Sequence, residues 1–138
     1  MEAKELVLEA ATDCTDILID FLNEQLALCD CPRKTRVQLD VAAEEIFVNI
    51  AKYAYDGGKG SVMVRTQFTE SPLCLHLTFI DKGKAFNPLR AKEPALDLPG
   101  NERQVGGLGI YIVKNSMDAV AYCYEDGQNI FTIQKTIR

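Results

Sequence analysis

Apolar positions recur along this chain with two different periods, and the changes of period mark out its elements. KELVLEA, residues 4–10, reads as an opening strand. ATDCTDILIDFLNEQLALCD then has helical spacing, with Thr12 or Asp13 as its cap and Ile17, Leu18, Phe21, Leu22 and Leu28 as its buried stripe. A second helix is expected from about Pro32, whose ring suits a first turn, to about Tyr55, where DGGKG stops it. On it, Leu39, Ala43, Ile46, Phe47, Ile50 and Ala54 gather on one face, opposite a stripe of Glu45, Asn49 and Lys52.

SVMVRTQF and LCLHLTFID follow as the strands of a hairpin joined by the turn-like TESP. In the second, Leu75, Leu77 and Phe79 alternate with Cys74, His76 and Thr78, so one face of the sheet meets the helices and His76 lies on the other. From about Asn87 to Val105 periodicity stops, and Pro88, Pro94, Pro99 and Gly100 suggest a lid, a binding loop or a disordered segment. GGLGIYIVKNSMD resumes as a helix, and the strands AVAYCYE and NIFTIQKTI, joined at DGQ, complete the chain. There is no repeat, low-complexity tract or linker, so residues 1–138 are expected to form one domain. Hairpin-length joins between strands imply a mixed, mostly antiparallel sheet with helices on one face, a two-layer α/β sandwich.

The 138 residues are enough to bury a core without disulfides or structural metal. A net charge of −5 argues against non-specific binding to nucleic acid or an anionic membrane, because both depend on clustered Lys and Arg, and favours a protein or small-molecule partner. No window approaches the roughly 20 apolar residues of a membrane span, and MEAKELVLEA lacks the features of a signal peptide. A cytoplasmic location is expected. The cysteines Cys14, Cys29, Cys31, Cys74 and Cys123 are odd in number and form no CxxC pair, so reduced thiols are expected. Cys29 and Cys31 with His76 also lack the spacing of a zinc site.

Three segments carry candidate chemistry. Glu45, Asn49 and Lys52 in EEIFVNIAKY fall within roughly 60° of one another on a helix, aligning a base, a metal ligand and a cation. FIDKGKAF ends a strand in Asp81, followed closely by Gly83. VGGLGIYIV puts Gly106, Gly107 and Gly109 at a helix start, where bare N–H groups can meet phosphates. Neither GxxxxGK[ST] nor a GxGxxG following a strand is present, so phosphates would need this other cradle. Each segment also has a plain reading: GGLG as a tight turn, Asp81 as a strand end, Asn49 and Lys52 as a solvated face, Glu44 or Glu45 as a partner for a lysine.

Taken in order, the three segments resemble the motifs of the GHKL (histidine kinase-like) ATPase superfamily. AAEEIFVNIAKYAY, IDKGKAFNP and VGGLGIYIVKNSMDAVAY are most similar to the anti-sigma factor serine/threonine kinase family, across almost the whole chain. The resemblance implies the Bergerat-type ATP-binding fold and the cofactors ATP and Mg²⁺. It implies Asn49 as the Mg²⁺ ligand, Asp81 as acceptor from the adenine amino group and Gly83 as room for adenine to approach. Gly107 and Gly109 would anchor and hinge the lid, with Leu108 between them. Glu45 matches the general base, rather than Glu44, which lies about 100° around the helix.

Two features depart from the family pattern. Tyr53 stands where such kinases often have histidine, and NIAKY is closer to the helix of histidine kinases, so Lys52 is read as a phosphate contact and Tyr53 as packing beside the nucleotide. The single histidine, His76, lies in a strand, so autophosphorylation on histidine is not expected. Lys82, Lys84, Arg90, Lys92 and Arg103 in and beside the lid outweigh Glu93, Asp97 and Glu102, which suits phosphate attraction or simply a solvated loop. The implied function is phosphorylation of a small antagonist on Ser or Thr together with binding of a sigma factor, with partner switching between them and a homodimer admitted. The alternative is a non-catalytic module of the same fold in which ATP or ADP tunes a protein interface.

Overall fold

The computed structural model describes residues 2–90 and 107–138, so most of the expected lid at residues 87–105 lies outside the described residues, as does Gly106. Among the described residues the elements are β1 (Lys4–Glu9), α1 (Thr15–Ala27), α2 (Arg33–Tyr53), β2 (Ser61–Thr69), β3 (Cys74–Asp81), α3 (Gly107–Ser116), β4 (Ala119–Glu125) and β5 (Gln128–Thr136). The five strands form one sheet in the order β1-β2-β3-β5-β4. Each pairing is antiparallel.

Local chemistry sets the connections. At the β4–β5 turn Asp126 and Gly127 have φ of 54° and 75°, the positive values that a tight hairpin needs. β5 then returns between β4 and β3, which places Asn129 directly opposite Asp81 in the β3–β5 register. That single pairing brings residues 48 positions apart in the sequence together at the site.

The helices cover one face of the sheet. Val62, Val64, Leu75, Leu77, Phe79 and Ile133 are fully buried and join Leu18, Leu22, Leu39 and Phe47 in one core cluster. Burial of apolar side chains at this scale is the main force holding the layers together. His76 is only partly buried and hydrogen-bonds through Nε2 with Thr69 Oγ1 at 3.1 Å, on the face turned from the helices.

Two details of the first helix differ from the expected ones. Its buried stripe is Leu18, Leu22 and Leu26, whereas Ile17 and Leu28 are 52% and 80% exposed. The (i, i+4) ladder of leucines is the row that meets α2 and the sheet; Ile17 lies one position off it, and Leu28 lies past the last helical residue. Neither Thr12 nor Asp13 caps α1 by a side chain, because Thr12–Cys14 forms a 3₁₀ turn onto which Thr15 Oγ1 bonds at Thr12 O, 2.7 Å. Pro32 occupies the N-cap of α2 rather than its first turn, with its carbonyl accepting from Arg36 N at 3.0 Å. No helix among the described residues is long and apolar enough to cross a membrane.

Candidate functional site

A cleft of about 450 Å³, counting its open mouth, lies between α2, the end of β3 and α3. Its wall on α2 is built by Ile46, Asn49, Ile50 and Tyr53, and Ala54 just past the helix adds to it. Ile110 of α3 and Phe131 of β5 close the apolar sides, while Asp81 and Asn129 stand at the strand ends. An apolar slot with a few convergent polar groups is the usual form of a small-molecule site.

Asp81 is 4% exposed and its orientation is fixed. Oδ1 accepts from the backbone N–H of Gly83 at 2.9 Å and from Nδ2 of Asn129 at 3.0 Å. Asn129 is saturated in turn: Nδ2 also donates to Lys84 O at 2.8 Å, and Oδ1 accepts from Phe86 N at 3.1 Å and from the Tyr122 hydroxyl. Burial pushes the Tyr122 phenol above its ordinary value, which keeps it protonated and donating. Both hydrogen bonds fall on Oδ1, and Oδ2 has no hydrogen bond among the described residues, so it is available to a donor in the cleft.

Behind Asp81 the chain is laid against the end of α2. Lys84 N donates to Ala54 O at 2.9 Å, and the Tyr55 hydroxyl accepts from Lys82 N at 2.9 Å while donating to Ser61 O at 2.6 Å. Burial also pushes the Tyr55 phenol up. An ion pair of Lys84 Nζ with Asp56 Oδ1, at 2.7 Å, is solvent-exposed and contributes little. A Cβ on Gly83 would overlap the Ala54 carbonyl oxygen and stand 2.6 Å from the Ala54 carbonyl carbon and Cβ. Backbone cannot swing aside as a side chain does. Gly83→Ala is therefore expected to cost about 1–3 kcal/mol of stability by overpacking, read as a lower urea midpoint.

Asn49 lies on the α2 wall of the same cleft as Asp81, half-buried, with Nδ2 buried and lacking a hydrogen-bond partner among the described residues. Such an orphan costs about 1–3 kcal/mol unless a ligand satisfies it. Glu45, one helical turn earlier, does not line the cleft; its carboxylate rests against Gly109 in the first turn of α3. Gly107 begins α3 and Leu108 follows it. Lys52 is exposed on α2 and outside the cleft lining, whereas Tyr53 is 36% exposed at the cleft wall. The structure thus gathers Asn49, Tyr53 and Asp81 at one cleft, braces Asp81 through Gly83, and sets Glu45 and Gly109 against each other beside it.

Residues 8–135 match the histidine kinase-like ATPase domain. The chain belongs to the histidine kinase-like ATPase family. It is 30% identical over 125 residues to the serine/threonine-protein kinase BtrW of Bordetella bronchiseptica, covering 89% of this chain and 85% of that protein. Among solved structures, the RsbU and RsbW domains of a Mycobacterium tuberculosis protein superpose with a TM-score of 0.69 at 15% identity, over 99% of this chain and 33% of that one. The blue-light-activated histidine kinase of Erythrobacter litoralis gives a TM-score of 0.57 at 20% identity, over 78% of this chain and 32% of that chain. This chain therefore spans about a third of the length of each of those two solved chains, and the likeness to them is one of fold.

This histidine kinase-like ATPase domain also uses residues that sequence reasoning missed. Asn129 and Tyr122 fix the carboxylate of Asp81 and the segment that follows it, yet in the sequence they read only as the first residue of one strand and an aromatic of another. The register of β5 on β3 is the signal that would have found Asn129, and it requires the strand order. Of the cysteines considered for metal, the Cys29 thiol donates to Leu26 O and the Cys31 thiol to Pro32 O, and burial pushes both thiols up.

Proposed function

We propose that the protein is a Mg·ATP-dependent serine/threonine protein kinase of the anti-sigma type, which phosphorylates a small antagonist protein and binds a sigma factor in alternation with it. The observation that carries the reading is the Asp81 carboxylate, locked by Gly83 N–H and Asn129 with Oδ2 left over, at the base of an apolar cleft walled by Asn49. A buried carboxylate acceptor flanked by Ile46, Ile50 and Phe131 suits a flat heterocycle bearing an amino group, which describes adenine.

The polar groups on the same side suit a triphosphate. The unpartnered Nδ2 of Asn49 can donate to a phosphate oxygen, leaving its amide oxygen for a cation. Mg²⁺ would arrive with the nucleotide and be held by Asn49 together with phosphates. When bound, Mg²⁺ would neutralise charge developing on the transferred phosphoryl group. Glu45 would accept the proton of the attacking hydroxyl, Lys52 would meet phosphate from the exposed side of α2, and Tyr53 would pack at the nucleotide's edge. Gly107, Leu108 and Gly109 would present the first turn of α3 to the phosphates, where N–H groups lack helical partners.

A non-catalytic ATP- or ADP-responsive interaction module remains the second reading, favoured by one observation: Glu45 does not line the cleft. Incubation with γ-labelled Mg·ATP and a candidate antagonist separates the two. Acid-stable label on a Ser or Thr of the antagonist is the expected result. Saturable ATP binding without transfer to any acceptor would establish the module instead.

A further inference from the structure

Gly109 occupies the first turn of α3, is buried, and packs against the Glu45 side chain of α2. Its backbone gives no reason for glycine, since the glycines with left-handed φ among the described residues are Gly57 and Gly127. In an ordinary helical conformation alanine would be favoured over glycine. The space is the reason: a Cβ at this position would overlap Oε2 of Glu45 and stand 2.9 Å from its Cδ. The neighbour is moreover the free end of a flexible side chain rather than backbone, so a methyl group would displace the carboxylate without dismantling the packing of α2 on α3.

We propose that Gly109 is a positioning residue for the Glu45 carboxylate: the missing side chain lets Glu45 rest on the first turn of α3 and so sets where the base stands beside the Asn49 amide. The inference rests on the reading of Glu45 as the general base and goes beyond it. Glu45 and Asn49 are one turn apart on α2, so the carboxylate's place relative to the metal ligand depends on its χ angles alone. Gly109 fixes them by leaving one pocket open. The partial positive charge at the start of α3 favours the carboxylate there. A glycine that served only as a phosphate seat or hinge would govern nucleotide affinity, whereas one that places a base governs turnover.

The test combines Gly109→Ala, Glu45→Gln and Glu45→Asp with readouts inside and outside catalysis. In the full chain carrying ¹³C-labelled glutamate, the Glu45 Cδ resonance, assigned by its loss in Glu45→Gln, should move in Gly109→Ala. Because alanine keeps the backbone N–H that position 109 would turn to the phosphates, affinity for Mg·ADP should stay within about three-fold. Phosphate release from Mg·ATP, with water standing in for the acceptor hydroxyl, should fall about a hundred-fold, the usual effect of misplacing a catalytic group by about 1 Å. Gly109→Ala should cause no further fall in the Glu45→Gln background, nor in Glu45→Asp, whose shorter side chain clears the methyl and has already withdrawn the carboxylate. An unmoved Cδ resonance, an equal loss with and without Glu45, or a ten-fold loss of ADP affinity would each overturn the proposal. If the wild type neither releases phosphate nor labels an acceptor, the kinase reading fails and takes the catalytic consequence with it; the resonance and the ADP titration separately decide the contact.

Discussion

Glu45→Gln is expected to lower phosphoryl transfer by roughly 10²–10⁴ while leaving nucleotide affinity within a few-fold, because the change removes a proton acceptor and little else. Glutamine has the shape of glutamate, so it keeps the packing against Gly109. It also lies off the cleft lining, so the adenine contact proposed for Asp81 would be untouched. Single-turnover transfer at saturating Mg·ATP, measured beside the equilibrium affinity, separates the two quantities. Transfer at the wild-type rate would show that another group is the base, or that none is needed.

Asp81→Asn is expected to weaken ATP binding by about 1.5–3 kcal/mol, roughly ten- to a hundred-fold, through loss of a charge-assisted hydrogen bond. The structure makes the effect specific. Oδ1 of Asp81 already takes two donors, Gly83 N–H and Asn129 Nδ2, so the asparagine oxygen must stay on that side. Its amino group then occupies the Oδ2 position and faces the adenine amine, donor against donor. Calorimetric titration with ATP and ADP measures the loss, and a matching thermal midpoint excludes unfolding as its cause. An unchanged affinity would place the base of the nucleotide elsewhere.

Local patterns were legible and long-range meetings were not. The stripe of Leu39, Ala43, Ile46 and Phe47 is buried on α2 as its spacing requires, and the alternation of Leu75, Leu77 and Phe79 puts all three in the core. The Asp126–Gly127 turn likewise follows from the residues themselves. For α1 the sequence offered several apolar rows, and the Leu18–Leu22–Leu26 row was chosen by what it packs against, which periodicity alone cannot weigh. Among the described residues every strand pairing is antiparallel, in keeping with the mostly antiparallel sheet that the hairpin-length joins imply.

The site follows the same division. Asn49, Tyr53 and Asp81 could be singled out because each belongs to a short recognisable segment, and they do share a cleft. Asn129 meets Asp81 across 48 positions of sequence, and only the strand order brings them together. The contact of Glu45 with Gly109 is equally long-range; a motif can mark both residues without showing that they touch. At Gly83 the structure adds a close approach to the Ala54 carbonyl, which only the meeting of the β3 end with the end of α2 reveals.

A calorimetric titration of the wild-type protein with Mg·ATP and, separately, Mg·GTP tests the central claim most directly. On the proposed reading the Asp81 carboxylate would face an amino donor on adenine and a carbonyl oxygen on guanine, so the two bases would meet attraction and repulsion at the same atom. Saturable binding of ATP, with GTP weaker by about 10² or more, is the predicted result, since a buried acceptor left facing another acceptor is unsatisfied. No ATP binding, or equal binding of ATP and GTP, would contradict the account.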